Sequence, residues 1–461
     1  MSYLRLVALT IALTALPGIG ETHPSGHPRV CEAQADCPGV EFCQGGLCQR
    51  APAVGDHGPL FGLGLPEVLA PLGSDDEAHA AHLSRKLRRT LGMLGPFVIV
   101  KTRAGDSPSP EPPTITGIDV EGWHQAGAHA LLLTAVWSVQ AKASEEPQVT
   151  LEARLVELAR GRSVPLAAAR QRLRHDEFGR GVARLADEIV LHYTGRPGLI
   201  GTRIAYTKRL PGGAQEIFSI SLSGDDERQE TRNGSLNLFP TWTPEGTLAY
   251  TSFIDGNPDL WLGEKKLSSR KDLNTGAAIS PDGRTVALTL GRDGNAEIYL
   301  ICRHSGALVR RLTDHPAIDT SPTWSPDGSR LAFVSDRSGV PQIYVMNSDG
   351  SGVRALTTSG YNTNPCWSPV ADVVVFDRLV AGQGSDIFAV NVDTTEILRL
   401  TDSPWSNESP SFSPDGRQIA FASNRDGESQ IFVMNADGRN LRRLTAGAGP
   451  NGAPAWSTLA H

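Results

Sequence analysis

Six asparagine or aspartate residues recur at a regular position in the second half of this 461-residue chain. Each stands five residues before an aromatic or apolar residue that marks a repeated unit. Amide and carboxylate groups suit hydrogen bonding to a partner or an ion, and they also form the turns that begin β-strands. The sequence leaves both roles open. The six are Asn237, Asn274, Asp319, Asn362, Asn407 and Asn451, and four polar residues follow them, Thr275, Thr320, Thr363 and Glu408.

Four of the six cysteines fall within one short stretch, at Cys31, Cys37, Cys43 and Cys48. An even number of cysteines between Gly and Pro residues is typical of a two-disulfide knot in an oxidising compartment. A zinc site is the alternative, but its cysteines are usually two to four residues apart, and here the intervals contain five, five and four residues. Three disulfide pairings are possible. Cys302 and Cys366 stand alone, and we expect both to be free and buried.

Sequence motifs of catalysis and cofactor binding are missing. There is no Gly-x-Ser-x-Gly, no His-Glu-x-x-His and no phosphate loop. We therefore predict no catalytic residue, no metal site and no cofactor. The net charge of −7 argues against nucleic acid as a partner.

The first twenty residues have the pattern of an export signal. One positive charge precedes the apolar run of residues 6–16, and a plausible cleavage region follows at 17–20. That run is too short to span a bilayer, and no longer one follows. We therefore expect an exported protein without a membrane span, with residues 1–20 as signal peptide and residues 21–54 as a Cys-rich segment and linker.

Residues 55–197 have the pattern of a small α/β domain. The predicted elements are a strand at 59–69, a helix around 83–94, a short strand at 97–101, a hairpin of strands at 129–139 and 149–158, and a helix from Phe178 to about residue 195. The run Ser107–Pro113 contains four prolines and is predicted to be a surface loop.

The remainder of the chain repeats, and the repeats predict its architecture. Segments such as Pro322–Gly328 and Pro410–Gly416 carry Ser-Pro-Asp-Gly turns, each followed by an alternating strand. The marking residues are Trp242, Ile279, Trp324, Trp367, Phe412 and Trp456, spaced 37, 45, 43, 45 and 44 residues apart. This is the period of a four-stranded propeller blade. Residues 198–461 are thus predicted to form a six-bladed β-propeller.

The ends of the repeat region predict how the propeller closes. The last unit contains only the strand Pro454–Ser457, whereas the strands Thr202–Thr207 and Glu216–Ile220 have no such strand before them. We expect one blade to be built from both ends, which leaves no open sheet edge. The six Asn or Asp residues then ring one mouth of the channel. Blade four lacks the Asp-Gly turn and has a longer hairpin at 381–384, so we expect it to be irregular.

Four features are specific enough to be compared with a known family: the junction Gly195–Thr207, the repeat Trp324-Ser-Pro-Asp-Gly with Ile343–Asn347, the closing Pro454–Ser457, and the strand at 126–133. In these residues, and in the order of its domains, the chain resembles the TolB family of the Tol-Pal system. The resemblance covers roughly residues 55–461. It implies a small N-terminal α/β domain followed by a six-bladed β-propeller, in a periplasmic protein.

The resemblance also implies a binding protein and not an enzyme. TolB-like proteins bind the peptidoglycan-associated lipoprotein Pal at the channel mouth, where the Asn/Asp ring is predicted, and support outer-membrane integrity, cell division and protein import. The ten polar residues named above would be the partner contacts. TolA or other envelope proteins would be further partners, although the Cys-rich segment stands where the family places its TolA-binding segment. A monomer is expected.

Two other functions are compatible with the sequence. One is an exported propeller that binds another protein or a glycan, with the Cys-rich segment as its targeting module. The other is a propeller enzyme that depends on a metal held by channel carboxylates. Binding to Pal would favour the TolB-like scaffold, and loss of an activity on chelation would favour the enzyme.

Overall fold

The computed structural model describes residues 41–44, 47–50, 61–64, 81–82, 85–86, 88, 90–91, 97–100, 120–125, 128–139, 148–158, 162–174, 177–194, 198–224, 226–292, 294–447 and 449–458. Contacts divide the chain into one unit at His57–Gly201 and another that comprises Met1–Asp56 and Thr202–His461. The predicted export signal, Cys31, Cys37 and the proline-rich loop lie outside the described residues.

Residues 203–456 form six four-stranded antiparallel sheets. Each predicted repeat contributes its strands from the innermost to the outermost. Sheet one is Asn237–Trp242, Leu248–Ser252, Asp259–Leu262 and Lys265–Ser268; sheet two is Asn274–Ile279, Thr285–Leu290, Glu297–Cys302 and Leu308–Arg311; sheet three is Asp319–Trp324, Arg330–Ser335, Gln342–Asn347 and Arg354–Ala355. Sheet four is Tyr361–Trp367, Val373–Val380, Gly384–Asn391 and Ile397–Arg399; sheet five is Asn407–Phe412, Gln418–Ser423, Gln430–Asn435 and Arg442–Arg443; sheet six is Asn451–Trp456, Arg203–Arg209, Gln215–Ser221 and Arg228–Gln229.

The two ends of this region meet in sheet six. Asn451–Trp456 pairs antiparallel with Arg203–Arg209, with Trp456 opposite Ile204. This pairing confirms the closure predicted from the unpaired strands. The inner strands of successive sheets contact one another, and Asn451–Trp456 contacts the inner strands of both sheet five and sheet one. The six sheets therefore form a closed ring.

Local sequence explains the turns and the space between the sheets. In the turn after Trp324, the hydroxyl of Ser325 donates to Asp327 at 2.6 Å, and Gly328 adopts a φ of 71°. Proline and glycine are favoured at such turns because they fit the backbone angles of the turn.

Between the sheets lie apolar side chains from alternating strand positions. Those between sheets three and four include Val345, Trp367 and Phe376, all buried.

Each inner strand contains a β-bulge two residues beyond its Asn or Asp. The pairing register shifts at that point in all six sheets. The bulged residue has a positive φ every time, although only one of the six is glycine. Positive φ is costly for other residues, so the surrounding structure must impose it. The six residues are Phe239, Gly276, Ser321, Asn364, Ser409 and Ala453.

Sheet four differs from the others in the length of its hairpin. Its second and third strands, Val373–Val380 and Gly384–Asn391, each contain eight residues and pair without interruption as far as Val380 opposite Gly384. The irregularity predicted for blade four is therefore a longer hairpin whose two strands pair regularly. The extra residues bring Leu379, which is 43% exposed, opposite Tyr361 of the inner strand.

The unit at 57–201 is a mixed sheet with helices. Phe61–Gly64 pairs parallel with Phe97–Val100 on one side and with Ala130–Val139 on the other. Ala130–Val139 forms a hairpin with Gln148–Glu157, and both Arg162–Val164 and Arg170–Arg174 pair with Gln148–Glu157. A six-residue helix, Val120–Gln125, and the helix Phe178–Thr194 complete it, and residues 81, 82, 85, 86, 88, 90 and 91 are helical. The predicted hairpin and final helix are present, whereas the helix at 120–125 and the last two strands were not predicted.

The cysteines of the described residues agree with the prediction in part. Cys302 and Cys366 are both free and half-buried. Burial raises the pKa of the Cys366 thiol to about 11. The strands Glu41–Gln44 and Leu47–Arg50 form a hairpin that sets the backbone of Cys43 opposite that of Cys48. No helix among the described residues is long and apolar enough to cross a membrane.

Candidate functional site

The structure brings the six Asn or Asp residues to one end of the ring, but it buries them. Each lies at or next to the start of an inner strand. Their exposed fractions are 0% for five of them and 2% for Asn451. A side chain without accessible surface does not contact a partner directly. The expectation that these six side chains are themselves partner contacts therefore needs correction.

Their polar atoms are used inside the protein, across the junctions between sheets. At the junction of sheets three and four, Asn362 donates to Gln342 at 2.7 Å and to Thr357 at 3.1 Å, and Thr357 also donates to Gln342 at 2.7 Å. Gln342 begins the third strand of one sheet, Thr357 follows its outer strand, and Asn362 lies in the first strand of the next sheet. We call such a group of three residues a junction latch.

The same latch recurs at three other junctions. The hydroxyl and the Asn side chain both hydrogen-bond to the same acid or amide. Since an unpaired buried amide is costly, a shared partner fixes each junction in one geometry. These latches are Glu216 with Thr231 and Asn237, Asp386 with Thr401 and Asn407, and Gln430 with Thr445 and Asn451.

Arginines from the second hairpin of each of three sheets complete the polar clusters. Arg337 donates to Asp319 at 2.8 Å, Arg378 to Asn362 at 2.7 Å and Arg425 to Asn407 at 2.7 Å. Burial raises the pKa of Asp319, and its bonds to Ser335 and Arg337 oppose that shift. The contacts of the Asn/Asp ring therefore support a structural role for it.

The neighbouring polar residues are more accessible than the ring. Thr275 is buried, whereas Thr320, Thr363 and Glu408 are half-buried. Burial raises the pKa of the Glu408 carboxyl to about 7, and the negative charge of Asp377 adds to the shift. Of the predicted contacts, these three half-buried residues are the ones within reach of a bound molecule.

A pocket opens into the centre of the ring at this end. It has about 680 Å³ of empty space, including its mouth, and four of the six sheets contribute to its wall. The wall is partly apolar, from Leu238, Phe239 and Leu379, and partly polar, where sheets four and five contribute Asp377 and Glu408. We call it the channel pocket; its lining is Thr207, Gln215, Leu238, Phe239, Tyr361, Thr363, Asn364, Asp377, Leu379, Ser385, Glu408, Ser409 and Ala453.

Exposed apolar side chains accompany the same end of the sheets. Trp405 is 47% exposed, and its carbonyl accepts a hydrogen bond from Asn407. Val340, also 47% exposed, precedes Pro341, whose carbonyl accepts from the backbone of Asn362. Leu379 is placed there by the long hairpin of sheet four. Three exposed apolar side chains therefore come from the end of sheets three to five that carries the Asn/Asp ring.

Sequence reasoning missed the acid or amide and the hydroxyl of each latch, and also Asp377. The signal was available in the repeat alignment, because polar residues also recur near the start of every third strand. They are Glu216, Asp259, Glu297, Gln342, Asp386 and Gln430. Among the described residues, no group of three or more His, Cys, Asp or Glu side chains could hold a metal ion.

A closed ring of four-stranded antiparallel sheets defines the fold as a β-propeller. A family model described as the TolB β-propeller domain matches residues 191–460. The chain therefore belongs to the TolB family.

Individual relatives agree with this assignment. A protein TolB homolog of Chlorobium luteolum is 33% identical over 84% of this chain and 88% of its own length. The Tol-Pal system protein TolB of Desulfosudis oleivorans is 35% identical, but the match covers 54% of this chain and 57% of that relative. The crystal structure of TolB from Acinetobacter baumannii has the same fold, with a TM-score of 0.70, 23% identity, and coverage of 87% of this chain and 98% of that one.

Proposed function

We propose that this protein is a non-enzymatic periplasmic scaffold of a Tol-Pal-like system. It binds a Pal-like peptidoglycan-associated lipoprotein at the channel mouth of a six-bladed propeller, and so supports outer-membrane integrity, cell division and protein import. The observation that carries the proposal is the family match over the whole ring, together with an accessible mouth at one end of it.

The contact surface in this proposal is the rim and not the buried ring. Thr320, Thr363 and Glu408 supply half-buried polar groups, and Trp405 and Leu379 supply exposed apolar area. Such a mixture of aromatic anchors and polar, partly hydrated groups is typical of non-obligate protein interfaces. The four buried Asn residues of the latches contribute indirectly, because the latches hold the loops that carry the rim.

The proposal includes the domain division predicted from the sequence. Residues 1–20 are a signal peptide, 21–54 a disulfide-bonded segment and linker, 55–197 the N-terminal α/β domain, and 198–461 the propeller. TolA or another envelope protein is a second partner, and the protein acts as a monomer without cofactor.

The test is direct binding of the soluble domain of Pal from the same organism, measured by isothermal titration calorimetry. Truncating an exposed aromatic anchor of an interface often costs more than ~1 kcal/mol. We expect Trp405→Ala and Leu379→Ala each to weaken binding by about 10-fold or more. Neither substitution should change the unfolding midpoint appreciably, because both side chains are exposed.

Val353→Ala is the matched control. Val353 is an exposed apolar residue of sheet three, 38% accessible, next to the outer strand and to the turn at the opposite end of that sheet. Its substitution should leave binding unchanged. If the wild type failed to bind Pal but bound another envelope protein or a glycan, the alternative function, an exported propeller with a different ligand, would be favoured. A Pal complex unaffected by the rim variants would move the interface away from the mouth.

A further inference from the structure

One position of the repeat departs from the pattern in sheet four. In each sheet, one residue of the second strand pairs opposite the residue that follows the Asn or Asp of the inner strand. In five sheets this second-strand residue is Thr, Val or Ala. In sheet four it is Asp377, which lies opposite Thr363. A carboxylate thus occupies a site that is only 4% exposed, where the other sheets place small or neutral side chains. The five equivalents are Thr207, Thr251, Thr289, Val334 and Ala422.

A second departure lies directly across the junction, in sheet five. The position after the Asn or Asp is Leu, Thr or Gly in the other sheets, but it is Glu408 here. Glu408 precedes Ser409, the bulged residue whose backbone N–H donates to Asp377 at 3.0 Å. The carboxyl groups of Asp377 and Glu408 therefore lie at the same junction, and Asp377 accepts a hydrogen bond from the backbone next to Glu408.

The described residues around Asp377 and Glu408 are polar and include no cation that pairs with either carboxyl group. Thr363 and Asn364 donate to Asp377 at 2.6 and 2.8 Å, and Ser406 donates to Glu408. The other titratable group of the channel-pocket wall is Tyr361, and no Lys, Arg or His is among the described residues that line it.

Neighbouring charges outside the wall do not neutralise the couple. Asp336 acts on Tyr361 and adds negative charge. Arg378 follows Asp377 in the chain, but its guanidinium donates to Asn362 and stacks 4.6 Å from the centre of the Phe388 ring. Desolvation therefore raises the pKa of both carboxyl groups, and for Glu408 the charge of Asp377 contributes as well.

We propose that Asp377 and Glu408 form a proton-operated switch at the junction of sheets four and five: protonation of Glu408 tightens the junction, and its ionisation loosens it. When Glu408 is ionised, its negative charge faces that of Asp377, whose side chain is only 4% exposed, and their repulsion weakens the hydrogen bond that the Ser409 N–H donates to Asp377. The switch belongs to the propeller itself and does not depend on the proposed partner.

The sign of the pH effect follows from linkage. The pKa of Glu408 is higher in the folded chain, at about 7, than its usual 4.5. A carboxyl of this kind stabilises the fold fully below the unfolded pKa, and this contribution is lost as the pH rises through the folded pKa. The window therefore runs from the usual carboxyl range to about neutral pH, and stability should fall across it.

The experiment is urea unfolding of the full chain at several pH values, for the wild type and for Glu408→Gln. The glutamine remains neutral, so the ratio of the two unfolding constants reports the ionisation of Glu408 together with its charge coupling to Asp377. The wild type should lose stability as the pH rises. We therefore expect its unfolding constant, divided by that of the variant, to increase by ~50-fold between about pH 5 and about pH 7.5. Asp187, whose pKa burial raises to about 6, titrates in both proteins and cancels.

Two further variants and an exchange measurement distinguish Glu408 from the remaining carboxyl groups of the propeller. Glu396→Gln changes an exposed carboxyl and should leave the ratio flat. Asp377→Asn retains Glu408 but removes the repulsion, so it should reduce the pH dependence even if Glu408→Gln folds poorly. Hydrogen exchange of the peptide containing Ser409 should rise with pH, beyond the intrinsic rate, in wild type alone. A ratio that changes less than about 3-fold, or that changes in the opposite direction, would overturn the switch.

Discussion

Asn362→Ala is the substitution that separates a structural ring of Asn and Asp residues from a binding ring. Asn362 is fully buried, and its amide group donates to Gln342, Thr357 and the carbonyl of Ser359 at 2.7, 3.1 and 2.9 Å. Its carbonyl oxygen accepts from Arg378 at 2.7 Å. The alanine removes all four interactions at one junction.

The expected cost follows from what the substitution leaves unpaired. Gln342 keeps the hydrogen bond that Thr357 donates to it. Removal of the Asn362 amide group therefore costs about as much free energy as the loss of ordinary hydrogen bonds, ~1 kcal/mol. Arg378 loses the acceptor of its Nε, and its buried Nη2 already has no hydrogen-bond partner among the described residues. A buried charged donor left unpaired costs about 1–3 kcal/mol. We expect a total loss of ~2–4 kcal/mol in the free energy of unfolding.

Urea unfolding followed by circular dichroism measures this loss, with Asn347→Ala as the matched control. Asn347 is an exposed residue of the neighbouring sheet, and its side chain donates to Ser351. Its substitution should cost less than ~0.5 kcal/mol. Equal effects of the two variants would refute the latch. If Asn362→Ala left stability unchanged but abolished partner binding, the ring residues would be direct partner contacts instead.

The remaining predictions concern ring closure and the free thiols. Trp456→Ala, in the closing strand, should lower the free energy of unfolding by ~3–5 kcal/mol because that side chain is 8% exposed, whereas a urea titration of the exposed Trp405→Ala should show little change. Iodoacetamide should modify Cys302 at least about 10-fold faster than Cys366 in the native protein. Hydrogen bonds from Ser305 lower the pKa of the first thiol and burial raises that of the second; equal rates in peptide mass spectrometry would contradict this.

The sequence predicted the parts of this protein that depend on short-range patterns. The period of about 44 residues, the Ser-Pro-Asp-Gly turns and the unpaired end strands are visible in the chain itself. They predicted the sheets, their order and the pairing of Asn451–Trp456 with Arg203–Arg209. Turn formation and strand alternation depend on neighbouring residues, so each repeat carries its own instructions.

The candidate site was predicted only in its position. The alignment placed six Asn or Asp residues together at one end of the ring, and the structure confirms this placement. It could not show that Asn362 is covered on all sides, because its partner Gln342 begins a strand of the preceding sheet. The small helix at 120–125 was also missed, since six residues carry too little periodicity to be recognised.

What only the tertiary structure decided is the environment of each polar group. Burial and charge at a sheet junction depend on which side chain the adjacent sheet brings there, and this contact joins residues distant in sequence. The sequence by itself therefore determined a closed ring with a polar mouth. The folded ring decided that Asn362 is buried, that Trp405 is exposed, and that Asp377 and Glu408 lie at one sheet junction.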